Sequence, residues 1–217
     1  MLRVMSAEGT VTVLHADDEL IVVDKPAGLL AVPGRGAGKQ DCLAAQVQAR
    51  WSDALVVHRL DMATSGLMLF ARGPELQRRL SIAFAARQVA KHYVAVVDGR
   101  MPAPRGCIEL PLVADWPRRP LQRIDAAQGK PSRTDWQVLA VDEQAQATRL
   151  ALQPLTGRTH QLRVHLAAIG HPILGDALYA PPPVQVRASR LLLHASELSL
   201  AHPLSGLPLQ LRCDVPF

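Results

Sequence analysis

The sequence predicts an α+β fold built on a mixed, largely antiparallel sheet with helices packed against it. Three observations carry this. Short runs rich in β-branched residues outnumber segments with helical spacing, several of those runs are separated by only a few turn-forming residues as in hairpins, and 217 residues at 48% hydrophobic content suffice for a sizeable core. The length fits one large domain or two small ones, and we read residues 1–217 as a single domain.

Val11 to His15 and Leu20 to Asp24 are strand-like runs separated by Ala16-Asp17-Asp18-Glu19, a predicted hairpin. Residues 25–38 are rich in Gly and Pro and predict a loop. Asp41 is placed as the N-cap of a helix through Trp51, with Leu43, Val47 and Arg50 near one face. Pro74 stands at a first helical position, followed by Leu76, Leu80, Ala83 and Phe84 at helical spacing; Arg78, Arg79 and Arg87 decorate that helix and read as a solvated face. Tyr93 to Val97 and Ile108 to Leu112 predict strands around a Pro102-Pro104-Gly106 loop. Arg133 to Val141 and Ala147 to Gln153 predict a second hairpin. His160 to Ile169 predicts a helix stopped at Gly170, its buried face formed by Leu162, Leu166 and Ile169, while His160 and Arg163 share another face. Leu191 to Ala201 and Leu209 to Cys213 complete the strands.

The stretch from Val57 to Arg72, VHRLDMATSGLMLFAR, sets one acid, Asp61, on a bend between two apolar runs. An acid so placed is half-buried, and a half-buried acid needs either a partner or a chemical task. An Asp capping a turn is the structural alternative.

The formal net charge is +5, and residues 100–133 hold seven cations against three acids, so most of the excess sits in one region. Of the 24 cations 20 are Arg, whose guanidinium suits phosphates and base edges. That balance fits a polyanionic partner. Cys42, Cys107 and Cys213 are odd in number and far apart, which predicts neither a disulfide framework nor a metal pair and fits a reducing compartment. The first residues, MLRVMSAEGT, lack an apolar core of signal-peptide length, and no run of about 18 apolar residues occurs. A cytoplasmic protein without membrane contact is expected, with a monomer as the default.

Four segments in order carry a resemblance: VVDKPAGLLAVPG (Val22 to Gly34), HRLDMATSGL (His58 to Leu67), KHYVAVVDG (Lys91 to Gly99) and PLTGRTHQLRVHLAAIGHPILGDALY (Pro154 to Tyr179). Together they resemble the motifs of the RluA-type RNA pseudouridine synthases. The resemblance implies a central bent sheet flanked by helices, with an RNA-binding cleft across its middle. Longer members carry an S4-type RNA-binding domain before the first hairpin; the ten residues present there imply the short subgroup without it. The segment ADWPRRPLQRIDAAQGKPSRTDW (Ala114 to Trp136) is similar to one in the subgroup that modifies both ribosomal and transfer RNA, with Arg118 and Ser132-Arg133 departing from that pattern.

The implied reaction breaks the bond from ribose C1′ to uracil N1, turns the base and joins C1′ to C5. Substrate and product are isomers, so no cofactor is required. The resemblance makes Asp61 the catalytic residue, with attack at C1′, attack at C6 and removal of the C2′ proton all open to it. It makes Arg163 the counter-ion, Tyr93 the residue stacking on the flipped uracil, Leu162 the apolar floor, and Arg59 the wedge that fills the vacated place. Lys25, Arg158 and His160 in the motifs, and Arg118, Arg119 and Arg123 in the basic segment, are candidate RNA contacts. The expected partners are a tRNA anticodon stem-loop and 23S rRNA; the alternatives are a synthase restricted to one RNA class or a non-catalytic RNA-binding or ribosome-assembly module. An aspartyl-phosphate hydrolase would want a second acid at position 63, which is Ala. His160 and His165 stand five apart on different helix faces and no HExxH or Cys/His cluster occurs, so no metal site is expected.

Overall fold

The structure, a computed structural model, describes residues 11–34 and 40–217. A large sheet runs in the order β1 (Thr12–Ala16), β2 (Leu20–Lys25), β4 (Ser65–Arg72), β11 (Leu193–Ala201), β5 (Ala90–Asp98), β10 (Ala147–Pro154), β9 (Arg133–Asp142), β6 (Arg105–Glu109). β3 (Ala54–Val56) joins β4, and β12 (Pro208–Arg212) joins β11. A separate small hairpin pairs β7 (Leu112–Ala114) with β8 (Gln122–Ile124). Every pairing among the described strands is antiparallel except β11 with β4, where His194 faces Ser65 and Ala195 faces Gly66. The predicted α+β class is the observed one.

The apolar runs of β2 and β4 are continuous because both of their faces are covered. Leu20, Val22, Leu67, Leu69 and Ala71 pack towards α2 (Pro74–Ala85), and the alternate residues Ile21, Val23, Met68 and Phe70 pack towards α1 (Leu43–Arg50). A third core lies under α3 (Gln161–Ala168), where Leu162 and Leu166 meet Ala95, Leu150, Leu152 and Ile173. A short α4 (Pro182–Gln185) closes the chain between Ala180 and Leu192. β4 and β11 approach closely: at Gly66, with φ of +111°, a Cβ would lie 2.3 Å from the carbonyl oxygen of Ala195.

Both predicted hairpins form, and Pro74 begins its helix. Several expectations are corrected. Cys42, not Asp41, caps α1: its Sγ accepts from the Ala45 N–H, whereas the Asp41 carboxylate accepts from the Gln46 side chain. The buried face of α1 is Leu43, Ala44 and Val47, with Arg50 exposed. The strand expected over Ile108 to Leu112 breaks at Leu110-Pro111 into β6 and β7, since proline has no N–H for the ladder. Ile169 is the C-cap of α3 and lies over a third exposed, outside the buried face. Of the loop predicted over 25–38, residues 26–34 are irregular as expected and 35–38 lie outside the described residues, as does the reading of the first ten residues. Among the described residues, no helix is long and apolar enough to cross a membrane.

Candidate active site

Asp61 lies on the turn that feeds β4, its carbonyl oxygen bonded by the Thr64 N–H and its side chain 26% exposed. The next carbonyl, of Met62, accepts from both the Lys25 ammonium at 3.0 Å and the Gly28 N–H at 2.8 Å. The turn is therefore fixed from the β2 side. Its carboxylate lies 3.7 Å from Nη1 of Arg163 and 3.9 Å from Nε2 of His160. Both partners, one guanidinium and one imidazole, come from the start of α3, about a hundred residues along the chain.

Arg163 is held mainly by another acid. Its Nε and Nη2 donate to the two oxygens of Asp176 at 2.8 and 2.6 Å, and Asp176, buried in the turn after α3, also accepts from the N–H groups of Leu178 and Tyr179. The Arg163 guanidinium is packed 5.1 Å over the Tyr179 ring. Burial lowers its affinity for a proton, but the Asp176 bonds and the charges of Asp176 and Asp61 outweigh it and hold the group above its usual value. The Tyr179 hydroxyl accepts from the Gln122 N–H at 2.9 Å, which leaves its own proton free to go to Nδ1 of His160, 2.6 Å away. Burial holds the His160 imidazole below the usual histidine range against the pull of Asp61, so it is neutral near pH 7.

The start of α3 is positioned by buried polar groups. Gln161 accepts from Thr156 Oγ1 and the Arg158 N–H and donates to the Arg133 carbonyl and Thr134 Oγ1. His165 lies between Thr134 Oγ1 and the Leu110 carbonyl, each 3.0 Å away. These bonds tie α3 to the start of β9, to the turn after β10 and to Leu110. His160 takes the left-handed conformation, φ 55°, at the helix N-cap, a position where a non-glycine residue costs about 1–3 kcal/mol.

Asp61 opens into a cleft of about 630 Å³ whose lining includes Arg59, Tyr93, Arg158, His160, Leu162 and Arg163. Arg59 is exposed and Leu162 is buried at the cleft wall. Tyr93, on β5, is half-buried, and burial together with the Asp61 charge pushes its hydroxyl well above the usual tyrosine value, so it stays protonated. His58 also lines the cleft, stacked on Phe84 with ring centroids 4.7 Å apart, and its Nε2 accepts the Leu69 N–H at 3.0 Å. Burial and nearby Lys91 push its imidazolium down to about 3. Of the arginines near α2, Arg78 and Arg79 pair with Glu75, while Arg87, at φ 61° beyond the helix end, lines the cleft beside Lys91.

The structure thus brings Arg59, Asp61, Tyr93, Arg158, His160, Leu162 and Arg163 to one cleft, and not the others. Lys25 is fully buried and donates to the carbonyls of Pro26, Leu29 and Met62, so the expectation of an RNA contact there is corrected: its ammonium has no exposed surface to offer. Arg118 pairs with Asp115, Arg119 stacks 3.3 Å over Trp116, and Arg123 pairs with Asp125, all on or beside the β7–β8 hairpin. Sequence reading assigned no role to Asp176, Tyr179 or Lys91, and its placing of Arg87 on a solvated helix face is corrected, since the helix ends at Ala85 and Arg87 lines the cleft. Asp176, Tyr179 and Lys91 fall inside the motifs quoted above, which was the available signal. Among the described residues, the groups of three His, Cys, Asp or Glu side chains close enough to share an ion are Asp24, His194 and Cys213, and Asp17, Glu19 and His202; neither includes Asp61.

Comparison with known proteins agrees with this geometry. The family model described as RNA pseudouridylate synthase matches residues 19–168. The dual-specificity RNA pseudouridine synthase RluA of Yersinia pestis is 45% identical over 94% of this chain and 99% of its own length. The protein of the same description from Escherichia coli K12 is 43% identical over 97% of this chain and 95% of its own. Among solved structures, human RNA pseudouridylate synthase domain containing 1 superposes with a TM-score of 0.81 at 28% identity, covering 99% of this chain and 87% of that one. Human RNA pseudouridylate synthase domain containing 4 gives 0.76 at 27%, covering 94% and 88%. A cleft with one reachable carboxylate, and relatives aligned along nearly the whole sequence, lead to one conclusion: the chain belongs to the RNA pseudouridylate synthase family, isomerases that act on uridine in RNA.

Proposed function

We propose that the chain isomerises a uridine in a tRNA anticodon stem-loop and one in 23S rRNA, acting as a monomer in the cytoplasm. The observation that carries the enzymatic part is the placement of Asp61 beside Arg163 in a cleft that also holds Tyr93. The dual substrate rests on the description of the relatives and on the likeness of residues 114–136 to the dual-acting subgroup. The three free cysteines fit the reducing compartment.

Flipping the uridine costs a few kcal/mol, and the exposed Arg59 fills the space it leaves in the RNA. The base stacks on Tyr93 against Leu162, and the Asp61 carboxylate, with Arg163 behind it, acts on the nucleotide. The C1′–N1 bond breaks, N1 takes up a proton, C1′ joins C5, and the C5 hydrogen leaves. Neutral His160, receiving the Tyr179 hydroxyl proton at Nδ1, presents Nε2–H on the Asp61 side. Arg87, Lys91 and Arg158 supply positive charge along the cleft for phosphates. Arg118, Arg119, Arg123 and the exposed Trp116 make the β7–β8 hairpin a second contact.

The test uses purified protein with two transcripts tritiated at uridine C5, an anticodon stem-loop and a 23S rRNA fragment. Label is released from both without added metal or nucleotide, and Asp61→Ala abolishes release while still binding RNA. Release from one transcript alone overturns the dual substrate, and release that survives Asp61→Ala overturns the role of the acid.

A further inference from the structure

A second cluster lies where the sheet divides. β11 is flanked on one edge first by β4, at His194 and Ala195, and then by β12, from Glu197 onward. At the point where β12 ends and β4 begins, three side chains from distant parts of the sequence meet: Asp24 at the end of β2, His194 at the start of β11, and Cys213 just past β12. A carboxylate oxygen, a ring nitrogen and Sγ lie within 4.8 Å of one another.

His194 is 0% exposed, and its two ring nitrogens are used unequally. Nδ1 lies 2.8 Å from Ser65 Oγ, while Nε2 is buried without a hydrogen-bond partner among the described residues. A buried nitrogen left unpaired is costly, and a ligand on it would remove that cost. Ser65 Oγ also accepts from Arg190 Nη2 and has a second lone pair for a His194 Nδ1–H. With the Nδ1 proton on the Ser65 side, Nε2 carries a lone pair, and Ser65 is the outer partner that orients a metal-bound imidazole.

We propose that Asp24, His194 and Cys213 bind a borderline-soft divalent cation of the Zn²⁺ class, joining three strands at a place the isomerisation does not use. Thiolate, imidazole and carboxylate form a mixed three-ligand set that leaves one tetrahedral position for water. Ligand atoms around such an ion lie about 3.5 Å apart, so donors already within 4.8 Å need to close by about 1 Å. The charge balances: a carboxylate and a thiolate offset the ion, with Asp214 against Arg190 among the charged groups acting on the cluster. Asp24 and Cys213 are only partly covered, which gives the ion a path in. Positions 24, 194 and 213 are too far apart in the sequence to register as a local motif.

Chelator-treated protein titrated with Co²⁺ tests this. The expected result is one Co²⁺ per chain with a thiolate-to-cobalt charge-transfer band that is absent in Cys213→Ser and retained in Cys107→Ser, the exposed control. Ser65→Ala weakens binding by about 10–100-fold. A band that persists in Cys213→Ser, or no binding by the unsubstituted chain, overturns the proposal. A measurement on the unsubstituted chain covers the case in which Cys213→Ser does not fold. Zn²⁺ slows alkylation of Cys213 by about tenfold or more, and of Cys107 not at all, by mass spectrometry; equal rates with and without Zn²⁺ overturn it as well.

Discussion

Two acids share one guanidinium, and the regions that present them differ in every respect that bears on their use. Asp176 sits in the turn after α3, 1% exposed, with both oxygens bonded to Arg163 at 2.6 and 2.8 Å and two backbone N–H groups completing its shell. Asp61 sits on the turn before β4, 26% exposed, 3.7 Å from the remaining Arg163 nitrogen. The first carboxylate is saturated and can do nothing but hold Arg163 in place. The second is near a fixed positive charge without being consumed by it, so its lone pairs face the cleft. The more exposed carboxylate is set beside a cation that is itself immobilised by another anion.

The sharpest test replaces each acid in turn. Asp61→Asn lowers the rate of tritium release at least about 10³-fold, with stability in urea changed by no more than about 0.5 kcal/mol. Asp176→Asn gives the opposite profile. It leaves a buried guanidinium without its anion and destabilises the fold by about 3–5 kcal/mol, read from the urea midpoint. If both substitutions cost the same stability, the distinction between the two regions is wrong.

A smaller effect comes from the exposed side of the cleft. Arg59→Ala lowers kcat/KM by about 10–100-fold, the loss of part of the few kcal/mol that flipping requires, and leaves the urea midpoint unchanged. A transcript with the target uridine already unpaired in a mismatch recovers part of the rate; absence of recovery removes the wedge role.

The smallest effect is on pH dependence. His58 is neutral in the folded chain, its imidazolium pushed from 6.5 to about 3. As pH falls below 6.5 the unfolded chain takes up a proton that the folded chain does not. The stability this residue carries is complete above pH 6.5 and is eroded towards pH 3, by at most about 1.4 kcal/mol per pH unit. Urea midpoints measured across that window fall less steeply in His58→Gln than in the unsubstituted chain.

Much of this fold was legible from spacing alone, because its hairpins are local and its two-sided strands β2 and β4 read as unbroken apolar runs. What escaped depended on tertiary packing. Cys42 displaced Asp41 as a cap because a buried thiol could reach the Ala45 N–H while the carboxylate stayed outside. Lys25 looked like a loop cation available to RNA, yet the chain folds three carbonyls around it. The pairing of Arg163 with Asp176 has no period to betray it: thirteen residues separate them, across a helix end and a turn. Asp61, Tyr93 and Arg163 were singled out through motif likeness rather than through periodicity, and their convergence on one cleft needed coordinates.

The ring of carbonyls around Lys25 has a consequence for catalysis by a loop. One of its members, the Met62 carbonyl, belongs to the residue that follows Asp61, and the Gly28 N–H holds the same oxygen from a second direction. The acid is preorganised: the entropy of freezing its turn is lost when the chain folds, not when RNA arrives. On the function proposed above, binding energy from the RNA is then left for prising the uridine out of its stack.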